Sequence, residues 1–304
     1  MKRPVVAIGI FDGVHRGHQA ILKRAVSRAR VTSGTPVALT FYPHPLTILK
    51  PSVAPPLILS LKGRTEAMKQ RGIKQVVVCA FTRRFSRLSP EQFVDQVLVK
   101  KLRAQQVVVG HDFGFGKGRK GSIRTLRVLG NQRGFRVLVV GPQRVGRERI
   151  SSRLIRRSIQ SGRLDFARRC LGVSPSLEGQ VVRGAGRGKK MGVPTANIKV
   201  TSGVLPPCGV YAVWVKGAGP RVVLGVANLG FRPTVGGKRT TQPVLEVHFL
   251  GSMHRKLRGK VLQVALGTQL RNERKFPSLK ALVAQIKQDK VRARHWLRRH
   301  NRWN

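Results

Sequence analysis

Residues 9–18, Gly9-Ile10-Phe11-Asp12-Gly13-Val14-His15-Arg16-Gly17-His18, decide the fold. The apolar run Val5-Val6-Ala7-Ile8 leads into them, and a helical pattern beginning Gln19-Ala20-Ile21-Leu22 leads out. That context predicts a buried strand, a tight turn and a helix N-terminus. Gly9, Gly13 and Gly17 allow the chain to turn sharply and to approach a ligand closely. A helix N-terminus presents unpaired N–H groups and the positive end of the helix dipole, which suits a phosphate. His15 and His18 are three residues apart, so both can face one bound group and stabilise charge developing on it. On the residues alone, a strand-turn-helix with two solvent-facing histidines remains open.

Outward from that stretch, short apolar runs alternate with helical patterns. Strands are predicted at Val5–Ile8, Val37–Tyr42, Gln75–Phe81, Gln106–Gly110 and Arg136–Val140. Helices are predicted at Gln19–Arg30, Leu61–Arg71, Pro90–Lys101 (capped by Ser89) and Ile123–Leu129. The alternation predicts an α/β unit with a parallel sheet covered on both faces and ligands at the carboxyl ends of its strands. Three stretches fall at such ends or at a helix start. They are Tyr42-Pro43-His44-Pro45, the run Gly110-His111-Asp112-Phe113-Gly114-Phe115-Gly116, and Ile150-Ser151-Ser152-Arg153-Leu154-Ile155-Arg156. In the last, two hydroxyls and an arginine one turn later suit a polyphosphate, or a Ser cap opening a basic surface helix.

The pattern changes after a Ser/Pro linker at 172–176, giving expected domains 1–172 and 176–304. Strands then follow strands: Glu178–Arg183, Gly209–Lys216, Val222–Leu229, Val244–Leu250 and Lys260–Leu266. This predicts an antiparallel unit, a closed β-barrel. A C-terminal helix from Ser278 to about Arg298 is expected to bury Leu279, Leu282, Ile286, Val291 and Trp296. The loop from Gly184 to Asn197 carries Gly184, Gly188 and Gly192 with basic residues including Lys190, and suits either phosphate wrapping or a flexible basic hairpin.

The charge balance is extreme, with 60 Lys+Arg against 11 Asp+Glu and a formal net charge of +49. Because the surplus is spread along the chain, it points to nonspecific nucleic-acid association rather than to a defined nucleic-acid site. The acid shortage leaves few candidate bases. Glu246, in mid-strand Leu245-Glu246-Val247-His248-Phe249, is the one whose position most needs a reason, catalysis or a barrel-rim ion pair. Cys79, Cys170 and Cys208 make neither a metal spacing nor a disulfide framework, and Cys79 is expected in the core. No signal peptide and no apolar run long enough to span a membrane is read, so a cytoplasmic protein is expected. Oligomeric state stays open.

The stretch Gly9–His18 carries HxGH after a first strand, the signature of the nucleotidyltransferase superfamily. In full it resembles the prokaryotic bifunctional riboflavin kinase/FMN adenylyltransferase family. Phe41–Pro45, Val109–Gly116 and Ile150–Arg156 resemble that family's F-x-P-H-P, V-G-x-D/N-F-x-F-G and I-S-S-T-x-I-R. In the second half, Gly184-x-x-x-Gly188-x-x-x-Gly192-x-Pro194-Thr195-Ala196-Asn197 resembles the riboflavin kinase loop. Gly225–Thr234, Leu245–His248 and Leu270–Phe276 resemble further segments of the same domain.

The resemblance implies a nucleotidyltransferase domain followed by a riboflavin kinase barrel. The substrates and products would be ATP, riboflavin, FMN and FAD, with Mg²⁺ as cofactor. It implies catalytic roles for Glu246, His15, His18 and Arg156. Nucleotide binding would fall to Gly9, Phe11, Asp12, Gly13, Gly17, Ser151, Ser152, Gly184, Gly188, Lys190 and Gly192. Flavin binding would fall to Pro43, His44, Asp112, Phe113, Arg271 and Glu273, and metal binding to Thr195 and Asn197. Ile10, Tyr42, Ser122 and Arg153 depart from the family pattern beside the first-domain motifs. Kinase activity alone, and a basic RNA-associated protein on this fold, are the other readings.

Overall fold

A computed structural model describes residues 1–184, 194–231, 243–251 and 257–300. The chain forms two compact units. The first comprises Met1–Pro55 and Leu61–Ser152, and the second Pro56–Ser60 and Arg153–Asn304. The division after Ser152 lies ahead of the expected linker at 172–176. Helices α6 (Ser152–Gln160) and α7 (Leu164–Leu171) fall almost wholly in the second unit, where α7 packs on the last barrel strand.

The first unit is a parallel five-stranded sheet in the order β3-β2-β1-β4-β5. Its strands are β1 Val5–Ile8, β2 Pro36–Tyr42, β3 Gln75–Ala80, β4 Gln106–Gly110 and β5 Arg136–Val140. Alternate residues Val6, Ile8, Val37, Leu39, Val107 and Val109 join one core with Phe93, Val97, Leu98, Leu126 and Leu129. Val5, Ala7, Ala38 and Val108 point the other way and are also buried, as are Leu22 and Ala25 of α1 (Arg16–Val31) and Met68 of α3 (Leu61–Lys69). Both faces are therefore covered. Strand order reverses between β1 and β4, so the ends of these two strands define the crevice where such sheets take ligands.

Two short helices complete the first-unit motifs. Helix α2 spans Pro45–Leu49, and α4 spans Pro90–Phe93 behind a Ser89/Gln92 capping box. The helix expected through Lys101 continues from α4 as a π-helical stretch, Val94–Lys101. Helix α5 spans Ile123–Arg133. A hairpin of β6 (Arg144–Val145) and β7 (Glu148–Arg149) follows the sheet.

The second unit is a closed barrel in the order β10-β11-β12-β9-β8-β13. Its strands are β8 Ser176–Val182, β9 Ala196–Ser202, β10 Gly209–Lys216, β11 Val223–Phe231, β12 Pro243–Phe249 and β13 Val261–Arg271. Strand β9 was not among the expected strands, because its first residues belong to the Pro-Thr-Ala-Asn stretch read as a loop. Helix α8 (Leu279–Arg299) lies on the outer face over β10, β11 and β13.

The apolar stripe expected on α8 is corrected by the packing. Leu279 and Val291 are exposed, while Asp289, Ala293 and Leu297 are the buried positions. Ala293 and Leu297 join Val210, Ala212, Trp214, Val226 and Ala265 in one cluster, with Trp296 partly buried against it. The stripe is rotated because Asp289 pairs with Arg271 of β13, Nε donating to Oδ2 at 2.9 Å. A Cβ on Gly267 would stand 2.4 Å from the Trp296 ring and 2.8 Å from the Ala212 carbonyl oxygen. Gly267→Ala is therefore expected to push α8 off the barrel and cost about 1–3 kcal/mol, read as a lowered thermal midpoint.

Candidate functional sites at the β1 turn and on the outer barrel face

After β1 the chain turns within a few residues into α1, and the turn is built from unusual backbone. Phe11 has φ +52°, Gly13 +82° and Val14 +40°. The side chains of Phe11 and Asp12 are buried, so neither extends into solvent. The Ile10 carbonyl accepts from Thr40 Oγ1 at 2.9 Å and from Arg64 Nη1 at 2.5 Å. Ser152 Oγ donates to the Asp12 carbonyl at 3.1 Å, tying one expected phosphate hydroxyl to this turn.

His15 is the N-cap of α1, and its Nδ1 accepts from the His18 N–H at 3.3 Å. A ring nitrogen that accepts carries no proton, so neutral His15 has its N–H on Nε2. The His15 and His18 rings stack at 3.6 Å with 18° between planes, and Phe11 meets His18 edge-on at 5.3 Å. A Cβ on Gly17 would lie 3.1 Å from the His15 ring, so this glycine gives the imidazole its place. His18 Nδ1 is buried with no hydrogen-bond partner among the described residues. Burial, then His15, then Arg64 hold the His18 pKa well below its ordinary value of 6.5.

The neighbouring strand ends carry the other first-unit residues. His44 is buried and caps α2, its Nδ1 accepting from Leu46 N–H at 3.2 Å, and Pro43 follows Tyr42 through a cis peptide. Asp112 is exposed and accepts from Arg149 Nη2 at 2.5 Å. Phe113 stacks on Phe115 at 5.5 Å. Ser122, one of the four departures, caps α5 by accepting from Thr125 N–H at 3.2 Å, a task serine performs as well as aspartate. Arg156 belongs to the second unit, where its Nε donates to the Pro56 carbonyl at 2.8 Å.

In the barrel, register brings the expected kinase residues into one row. Glu246 of β12 pairs with Asn197 of β9 on one side and Asn228 of β11 on the other. Directly paired residues share a face. Asn228 also pairs with Val210, which packs under α8, so the row runs along the outer face. Asn228 Nδ2 donates to Glu273 Oε1 at 3.4 Å, extending the row. Glu273 can reach it because Gly230 has no side chain: a Cβ there would overlap Oε1 at 2.2 Å. Gly184 does the same for Asn197, whose Nδ2 would be 2.0 Å from a Cβ. His248 Nδ1 lies 3.0 Å from the Pro194 carbonyl, just before the half-buried Thr195. Gly188, Lys190 and Gly192 lie outside the described residues.

Two site residues escaped the sequence reading. Asn228 stood only inside a quoted motif, and its pairing with Glu246 is a fact of strand register. Arg64 left a fainter signal, a cation at a core position of the α3 stripe Leu61, Arg64, Met68.

The lowered His18 pKa predicts a pH effect of definite sign. The unfolded chain takes up a proton near 6.5 where the folded chain does not. The stability contributed by neutral His18 is therefore complete above that value and lost as pH falls towards the folded-state pKa. His248, also lowered by burial, acts in the same window but is common to both proteins compared. His18→Asn should lose less stability than the parent between about pH 7 and pH 5 in denaturant melts, and parallel curves would contradict the burial of this ring.

Known protein families match both halves of the chain. The FAD synthetase family model matches residues 1–154 and the riboflavin kinase family model residues 171–297. The bifunctional riboflavin kinase/FMN adenylyltransferase of Escherichia coli (strain K12) is 38% identical over 292 residues, covering 96% of this chain and 92% of the relative. The protein of the same name from Bacillus subtilis (strain 168) is 35% identical over 294 residues, covering 96% and 92%. A crystal structure named for a macrolide-efflux protein from Streptococcus pneumoniae matches with TM-score 0.84 at 29% identity, covering 97% of this chain and 95% of that one. Among the described residues, no helix of this chain is long and apolar enough to cross a membrane. With both family models matched in order and full-length relatives above a third identical, the chain belongs to the bifunctional riboflavin kinase/FMN adenylyltransferase family.

Proposed function

We propose that the second unit phosphorylates riboflavin at its 5′-hydroxyl with ATP, giving FMN. The first unit then transfers AMP from a second ATP to FMN, giving FAD and pyrophosphate. The observation that carries this reading is the row Asn197–Glu246–Asn228, a carboxylate flanked by two amides on the outer barrel face.

A primary hydroxyl must lose its proton as it attacks the γ-phosphorus of ATP, and Glu246 is placed to accept it. Thr195 and Asn197 offer the hard oxygen donors that Mg²⁺ takes, and the bare backbone of Gly184 leaves the Asn197 amide its space. When bound, Mg²⁺ neutralises charge on the ATP phosphates. Gly184 and the basic loop that follows it, with Lys190, are the phosphate-side residues of this reading, and Glu273 at the end of the row is the flavin-side group. Arg271, paired to Asp289, acts by holding α8.

In the first unit the nucleophile is the FMN phosphate, already an anion. His15 through Nε2–H, and the first amides of α1, donate to oxygens of the α-phosphate, with His18 beside them. Phe113, Pro43, His44 and Asp112 form the flavin side of the same strand ends. The free thiols of Cys79, Cys170 and Cys208 support a reducing cytoplasm as the setting. The net charge of +49 supports nonspecific nucleic-acid association that high salt removes.

Incubation with riboflavin, ATP and Mg²⁺, followed by chromatography, tests the whole reading: FMN and then FAD should accumulate. FMN without FAD would leave a kinase alone, and no turnover by folded protein would sink the reading. Glu246→Gln should abolish FMN formation while FAD is still made from supplied FMN. An unchanged kinase rate would remove Glu246 as the base.

A further inference from the structure

Arg64 is a fully buried arginine on the core side of α3. Its Nη1 donates to the Ile10 carbonyl at 2.5 Å and its Nη2 to the Phe41 carbonyl at 3.3 Å. Its Nε is buried with no hydrogen-bond partner among the described residues. The two hydrogen-bonded partners are main-chain carbonyls, which satisfy donors without neutralising the charge. Burying a guanidinium in this way is costly, and burial lowers its pKa, an effect opposed by Asp12 and then Tyr42. A methionine or leucine would fill the same stripe more cheaply, so the cation needs a reason beyond packing.

The geometry supplies one. Ile10 opens the turn that leads to His15 and His18, and Phe41 precedes Tyr42-Pro43-His44. The planar fork of one arginine therefore spans the ends of β1 and β2, which lysine cannot do. We propose that Arg64 is a positioning residue of the adenylyl-transfer site, clamping the β1 turn to the end of β2 so that His15 and His18 meet the nucleotide phosphates in fixed geometry. The proposal rests on the adenylyltransferase reading of the first unit. The titratable groups that act on His18 are His15, from the cap of α1, and Arg64, from α3; Asp12, in the turn, acts on Arg64. The clamp therefore also keeps a positive charge beside the His18 ring, favouring its neutral form.

Arg64→Lys and Arg64→Met in the full chain test this, with three readouts: FAD formed from supplied FMN, FMN formed from riboflavin, and the His18 titration midpoint by NMR. Both variants should lose about tenfold to a hundredfold in kcat for FAD formation, with riboflavin phosphorylation unchanged as the control for folding. The His18 midpoint should rise towards 6.5 in Arg64→Met and rise less in Arg64→Lys, which retains the charge. A wild-type rate with an unmoved midpoint would overturn the proposal. So would a rate loss that merely follows a lower melting temperature with the midpoint unmoved. If Arg64→Met does not fold, Arg64→Lys decides alone, because it keeps the charge and removes the fork. If the parent protein makes FMN but no FAD, the adenylyltransferase reading has failed. A His18 midpoint that still moves would then retain the clamp and remove only its catalytic purpose.

Discussion

The carbonyl of Ile10 sits where β1 has ended and α1 has not begun, so no ladder partner awaits it. Two side chains donate to it instead, Thr40 from the adjacent strand and Arg64 from α3. A half-buried carbonyl without those donors would cost on the order of 1–3 kcal/mol, and the turn could relax into other conformations. Held in place, it forces Phe11 and Val14 into positive φ and delivers His15 to the cap of α1. The stacked histidines, the buried Asp12 and the Ser152 bond to the Asp12 carbonyl lie in the few residues that follow this anchored peptide. The sheet order makes the anchor worthwhile, since it lies at the reversal between β1 and β4.

Charge is the second constraint. With 11 carboxylates for 60 cationic side chains, an acid that pairs internally is a large share of the total. Asp289 is spent on Arg271 and fixes α8 to the barrel; Asp95 meets Arg133, and Asp165 meets Arg168. The exposed pairs contribute little in water, but the Arg271–Asp289 pair is nearly buried and accepts a further bond from Gln285 at 2.8 Å. Against that background, two glutamates on one row of the outer barrel face, Glu246 and Glu273, are a local concentration of negative charge.

Most of the fold was legible because both units obey simple periodicities. Every expected strand exists, and all but the last agree within two residues at each end; the last, expected to stop at Leu266, runs on to Arg271. The misses have physical causes. Strand β9 begins inside a motif whose glycines and prolines resemble loop chemistry, and only its pairing with β8 and β12 makes it a strand. The stripe of α8 was misplaced because hydrophobicity cannot anticipate a buried aspartate paired across to β13. The histidine pair and Glu246 were visible as chemistry. Asn228 stood only inside a quoted motif and Arg64 left only a cation at a core position of α3, because what each does depends on register and on main-chain carbonyls.

The two sites differ in a way the proposed reactions account for. A hydroxyl nucleophile arrives protonated, so a kinase site needs a proton acceptor, and the barrel row is built around a carboxylate between amides. A phosphate nucleophile arrives as an anion, so an adenylyl-transfer site needs no base and gains from positive charge and N–H donors alone. The β1 turn is built that way: two imidazoles, helix amides and a buried guanidinium, with the Asp12 side chain turned into the protein and buried. An unpaired carboxylate at the β1 turn would repel both substrates; Asp112, at the end of β4, is paired with Arg149. The scarcity of acids in this chain is therefore compatible with adenylyl transfer by its nature, and with riboflavin phosphorylation because the barrel row retains its glutamates.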